Sequence, residues 1–174
     1  MDSKLTLFSQ IISKIDRVIF KKIVKEKKTD YRNKGFDSWT HLVSMLFCHF
    51  AKSTSVRDIS NGLRSATGNL NHLGIKTAPS KSSISYQNGK RDADLFKDLY
   101  FKLLEQLGQH TKERRIKLKI KVPVYLLDST LISLCLSLFD WATYRTKKGA
   151  VKMHTLLEYD GKLPVYVNIT KGSV

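Results

Sequence analysis

One carboxylate at the end of an apolar run is the first group in this chain placed to do chemistry. Val122-Pro123-Val124-Tyr125-Leu126-Leu127-Asp128-Ser129-Thr130 follows the alternating lead-in Ile116-Lys117-Leu118-Lys119-Ile120-Lys121. The whole predicts a strand with Asp128 at its tip. A carboxylate held there is fixed by a sheet yet open to substrate, which suits a ligand for a divalent cation in phosphoryl transfer. Such a site needs several carboxylates. Asp140, Glu158 and Asp160 are the other acids nearby, and each has a plainer role: Asp160 in a turn, Glu158 at a strand end, Asp140 beside Trp141 in a connector. Asp-Ser-Thr is itself ordinary turn and cap chemistry.

Cations flank this segment. Arg145, Lys147 and Lys148 form a basic loop, and Lys152 and His154 start the next strand two residues apart, hence on one face. Facing Asp128 across neighbouring strands, they could bind a phosphate or position a scissile strand. The plainer reading is an exposed loop and an ordinary strand histidine. A second polar cluster lies on a helix predicted over 81–91, where Lys81, Ser82, Ser85, Gln87, Asn88, Lys90 and Arg91 offer hydroxyls, amides and cations. These groups bond phosphates and base edges. Paired with a helix over 55–66, this one would take the recognition position of a helix-turn-helix, although the 67–79 loop is long for that motif. The competing reading is a solvated face on a helical bundle. His41, His49, His72 and His110 show no ligand-like grouping.

The elements that must position these groups fall into two kinds, giving an α+β chain. Phe8, Ile11, Ile12, Ile15, Val18, Ile19 and Ile23 recur at helical spacing and predict one helix from about Lys4 to Lys25. A basic turn over 25–35 follows. Asp37 or Ser38 caps a second helix with Trp39, Leu42, Val43, Leu46, Phe47 and Phe50 on its apolar face. Ser55, with Asp58 three residues on, starts a third that should end near Gly68. Ser80 caps the 81–91 helix, and Asp92 or Asp94 opens a longer one closed by Gly108. From Val122 the pattern turns to strands, with alternating runs at 151–159 and 163–170 around Asp160-Gly161, a strong hairpin signal. Three strands are expected. The predicted domains are 1–110 (helical), a basic linker over 111–121, and 122–174.

The charge bounds the partner. Among 174 residues, 31 Lys+Arg against 15 Asp+Glu leave a net charge of +16, spread along the chain and pointing to a polyanion. Cys48 and Cys135 sit among apolar residues without ligand spacing, as buried free thiols in a reducing compartment do. The first 25 residues are amphipathic, unlike a signal peptide, and the apolar run 131–139 is too short to cross a bilayer. A cytoplasmic protein without membrane contact is expected.

A strand, a gap and a hairpin match the start of an RNase H-like fold. With the other blocks the chain resembles the amino-terminal part of DDE-type insertion-sequence transposases of the insertion-sequence-four group. The resemblance rests on Phe8-Ser9-Gln10, Trp39…Met45-Leu46-Phe47, Ser55-Val56-Arg57-Asp58-Ile59, His72-Leu73-Gly74-Ile75 and Ser83–Asp92. Two later blocks, Asp128–Ser137 and Lys147–Thr155, are together the most specific. It implies that Asp128 is the first catalytic aspartate and a Mg2+ ligand, and that Lys152 and His154 match a pattern near the active site. It further implies that the helical domain binds double-stranded DNA at the element's terminal inverted repeats, with a homo-oligomer or pairing with intact transposase possible. Such transposases continue further, and their second Asp and Glu lie in that continuation. This chain stops at Val174, so it is expected to be a truncated transposase, inactive alone and unable to hold the metal by itself, with an unpaired apolar edge on its last strand. The alternative is a non-catalytic DNA-binding protein or inhibitor derived from one.

Overall fold

The computed structural model describes residues 7–33, 35–66, 70–111, 122, 124–134, 143–145, 148–159 and 163–172. The chain divides into two compact units, Met1–Leu99 and Tyr100–Val174. Helices come first and an antiparallel sheet second, as an α+β chain requires.

The opening apolar repeat forms two helices, α1 (Leu7–Ser13) and α2 (Arg17–Lys27), where periodicity predicts one. Asp16 makes the break. Its backbone is extended, and its Oδ1 accepts from the Val18 and Ile19 amides at 2.7 and 3.2 Å, capping α2. The hydrophobic period is blind to this, since Ile12, Phe20 and Ile23 all stay buried. Asp37 caps α3 (Ser38–Phe50) by accepting from the Thr40 amide at 2.7 Å. Ser55 caps α4 (Val56–Ser65), bonding the Asp58 amide, while Asp58 reaches back to the Thr54 amide and hydroxyl. The expected stop at Gly68 lies outside the described residues. Ser80 caps α5 (Lys81–Lys90).

The last helix, α6 (Asp94–Thr111), runs through Gly108 instead of closing there. A mid-helix glycine costs only about 1 kcal/mol, so glycine alone does not stop a helix. The expected linker beyond Thr111 and Cys135 lie outside the described residues.

The core of the first unit gathers Trp39, Leu42 and Val43 of α3, Ile59 and Leu63 of α4, Ile84 of α5, and Leu95 and Leu99 of α6. Between α4 and α5 a short 3-10 turn, Leu70–Leu73, is pinned by the buried Trp39 Nε1 donating to the Leu73 carbonyl at 2.8 Å. Arg17 stacks 4.6 Å over the Trp39 ring and donates to the Gly74 carbonyl. A Cβ on Gly74, whose φ is +69°, would collide with that guanidinium, so both backbone and space demand glycine there.

In the second unit β1 (Tyr125–Leu134), β2 (Thr143–Arg145), β3 (Lys148–Glu158) and β4 (Leu163–Lys171) form one sheet. Because Lys152 pairs with Leu131 and Thr170, β1 and β4 lie on opposite edges of β3. Gly149 likewise pairs with Leu134 and Thr143, so the short β2, which was not expected, shares the β4 edge. The hairpin signalled by Asp160-Gly161 is present as Glu158↔Leu163 pairing, its turn residues lying outside the described ones.

Two departures concern the site. First, β1 does not end at Asp128: it pairs with β3 from Tyr125↔Glu158 to Leu134↔Gly149. Asp128 is mid-strand because β3, at eleven residues, offers a partner to every position of β1. Second, this sheet is thinly covered. Among the sheet residues whose burial is described, Ala150 and Val151 are the buried ones, while Leu127, Tyr166 and Ile169 are 78%, 58% and 57% exposed. Among the described residues β4 pairs only with β3, so its outer edge is open.

Open edges and exposed apolar side chains together promote association. We expect the purified chain to self-associate as concentration rises, with the double variant Leu127→Lys/Ile169→Lys markedly less prone. Light scattering across a concentration series reads this, and a monomer at every concentration would contradict it.

Candidate nucleic-acid interface

Helix α5 is seated by its apolar and capping residues. Ile84 is fully buried, and the buried Ser60 hydroxyl of α4 donates to the Pro79 carbonyl just ahead of the cap at 2.8 Å. That leaves Lys81, Ser82, Ser85, Tyr86 and Lys90 exposed, with Gln87 and Asn88 half-buried. The Ser82 hydroxyl is 3.0 Å from that of Ser80, so it is partly engaged in the cap. The long connection with its 3-10 turn differs from the tight turn of a helix-turn-helix.

Arg91 departs from the expectation. Its side chain is 2% exposed and turned inward. It donates to Asp30 Oδ1 at 3.3 Å and to the Phe36 and Asp37 carbonyls at 3.0 and 3.4 Å. Asp30 is in turn held by the Ser38 amide and hydroxyl, both at 2.8 Å. A guanidinium so enclosed cannot neutralise a phosphate outside, and Arg91 is a structural residue. Burial lowers its pKa, the Asp30 and Asp37 charges oppose the shift, and arginine stays charged regardless.

What this clamp creates is a groove. The α2–α3 turn and the end of α5 enclose about 570 Å³, lined among others by Tyr31, Arg32, Asn33, Tyr86, Gln87 and Lys90. Gln87 and Lys90 were anticipated; Tyr31, Arg32 and Tyr86 were not. Arg32 sits 5.2 Å from the Tyr31 ring centre. Lys90 Nζ lies 5.3 Å from that of Tyr86 and donates to its hydroxyl at 3.0 Å. Lys27, also on the wall, is tied to Asp98 at 2.9 Å, which raises its pKa through that hydrogen bond. The groove was hidden from sequence because its two walls lie over fifty residues apart. The signal was Tyr31-Arg32 inside a basic turn.

The sheet residues do not converge. Directly opposed residues of antiparallel strands share a face, and Asp128 opposes Thr155, whereas Ser129 opposes His154 and Leu131 opposes Lys152. Lys152 and His154 therefore share a face, as their spacing predicts, but it is the face opposite to Asp128. Asp128 is exposed and accepts from the Thr130 hydroxyl at 3.2 Å. His154 Nε2 is 3.1 Å from the Thr170 hydroxyl. Among the described residues no group of three His, Cys, Asp or Glu could hold a metal ion. The Asp128 carboxylate alone does not fit a Mg2+ site. Arg145 and Lys148 are adjacent across β2 and β3, while Lys147 and Asp140 lie outside the described residues.

His41 belongs to the same neighbourhood as Arg91 but is closed to solvent. It packs between the Phe36 and Phe96 rings at 5.5 and 5.4 Å, with neither ring nitrogen in a well-formed hydrogen bond among the described residues. Burial, then the Arg91 charge, pushes its pKa down to about 4; Asn88 acts weakly the other way.

Two outcomes separate scaffold from surface. Arg91→Ala removes the cation beside Asp30, which keeps its two Ser38 donors, and leaves two carbonyls without that donor. It should cost about 2 kcal/mol in denaturant unfolding, whereas Lys90→Ala should leave stability within about 0.5 kcal/mol. Equal effects would contradict the assignment. Below pH 6.5 the unfolded chain protonates His41 and the folded one does not, down to about pH 4. Stability should therefore be full above pH 6.5 and fall by up to about 3 kcal/mol as pH drops through that window. His41→Phe should flatten this part of the pH profile.

A family model described as a domain of unknown function (DUF4372) matches residues 3–76, from the start of the helical unit into the α4–α5 connection. That family is associated with transposase-like proteins. No curated protein and no solved structure matches the chain.

Proposed function

We propose that this chain is the amino-terminal part of a DDE-type transposase of the insertion-sequence-four group, and that its helical unit binds the DNA ends of the element. The observation that carries the reading is the groove beside α5. Its Arg32 and Lys90 have no carboxylate partner among the described residues, in a chain of net charge +16. Lys81, Ser82, Ser85 and Gln87 continue the polar face of the same helix. The family match over residues 3–76 supports it.

For the sheet we propose that Asp128 is the first catalytic aspartate of an RNase H-like domain whose full-length parent would cut and join DNA with Mg2+. The described residues supply one carboxylate toward it, so no step is assigned to this chain. A second reading for the chain alone is a DNA-binding protein, or an inhibitor occupying element ends; the groove, which uses no carboxylate of the sheet, serves it equally.

A titration of the chain against its element's terminal inverted repeat and a scrambled duplex, at two salt concentrations, tests the DNA reading. Binding should weaken with salt for both duplexes, as counterion release requires, with the repeat preferred throughout. Equal binding lost with salt would reduce the chain to a basic surface. Asp128→Asn should leave both curves unchanged, since one exposed carboxylate holds no phosphate.

A further inference from the structure

The groove holds two tyrosines that duplex recognition does not need. Tyr31 and Tyr86 are 72% and 61% exposed. Each has a cation within 5.5 Å of its ring centre, Arg32 on one and Lys90 on the other. Exposed aromatic faces interleaved with unpaired cations along a groove are the arrangement that holds unstacked bases: the ring takes the base and the cation takes the flanking phosphate. A duplex keeps its base faces stacked on one another and offers only edges and backbone.

Size and charge agree. A volume of about 570 Å³ falls within the range of clefts that enclose small ligands, so a nucleotide or two can enter between its walls. Asp92 is the carboxylate on the wall, and its Oδ1 is already occupied by the Asp94 amide at 2.9 Å. Arg91 and Lys27 are committed to Asp30 and Asp98, which leaves Arg32 and Lys90 to meet a ligand. The buried Arg91 ties the end of α5 to the turn that carries Tyr31.

We propose that this groove binds unpaired nucleotides of single-stranded DNA, stacking bases on Tyr31 and Tyr86 while Arg32 and Lys90 neutralise the adjoining phosphates. The inference rests on the DNA-binding reading and deepens it: the end of a DNA substrate that has frayed or been opened is what the groove would take.

The test uses the full chain, a short single-stranded DNA, an RNA of the same sequence, and the corresponding duplex, with tyrosine fluorescence and anisotropy as readouts. Single-stranded DNA should quench tyrosine emission and bind more tightly than the duplex. Tyr31→Ala and Tyr86→Ala should each weaken that binding about tenfold and weaken duplex binding less, since a duplex keeps its bases stacked on one another. Tyr31→Phe and Tyr86→Phe should retain it, since stacking needs the ring and not the hydroxyl. Both positions are exposed, and unchanged thermal melting would show the variants folded. Duplex binding without single-strand preference, alanine variants that bind single strands like the parent, or tighter binding of the RNA would each overturn this inference alone. Binding to neither DNA would overturn it together with the DNA-binding reading.

Discussion

The helical unit is organised around one ion pair whose cation is buried. Arg91 leaves α5 and crosses to Asp30, Phe36 and Asp37, spanning some sixty residues of sequence with a single guanidinium. Its planar fork is what makes this possible, since three acceptors in different directions exceed what a lysine could serve along one wall. Asp30 is fixed from the other side by the Ser38 amide and hydroxyl at the start of α3. Through these bonds the α2–α3 turn, the cap of α3 and the end of α5 hold one geometry. In this arrangement the enclosed guanidinium contributes little net stability over an apolar packing, and its Nε is buried without a hydrogen-bond partner among the described residues.

That arrangement has consequences on both sides of it. Inward, the Arg91 charge faces His41, which burial keeps neutral in its cage of Phe36 and Phe96. Outward, the clamp sets Tyr31 and Arg32 opposite Tyr86 and Lys90, so a groove with aromatic and cationic walls is the outer surface of an internal salt bridge. The sheet unit contrasts with this. There β1 is paired with β3 along its whole length, yet among the residues whose burial is described few are covered, and apolar residues on both faces stay exposed. Backbone pairing alone gives a sheet its register but not its burial.

Much of the fold was readable from local chemistry. Asp37, Ser55 and Ser80 each cap the helix that their sequence context predicts, because a cap is a contact between residues two or three apart. The hairpin around Asp160-Gly161 was readable for the same reason. The misreadings have equally local causes. Asp16 breaks the first helix without disturbing its apolar period, and Gly108 is passed over because glycine inside a helix costs so little. Gln87 and Lys90 of α5 line the groove, whereas Arg91, one position further, closes its floor with a side chain that is buried and bonded to Asp30. No periodicity distinguishes those two cations; only the location of Asp30 does.

By itself the sequence determined the charge, the helix-then-strand order, the caps, and the shared face of Lys152 and His154, all of which are set by composition or by neighbours along the chain. The tertiary structure alone decided where Asp128 falls. The extent of β3 carries β1 past it to Leu134, and the pairing register puts it on the face away from Lys152 and His154. A strand's partner fixes its length and its facing at once, and that partner lies more than twenty residues away. The groove was likewise decided only in three dimensions, because its walls meet through a contact between Asp30 and Arg91 that no window of sequence contains.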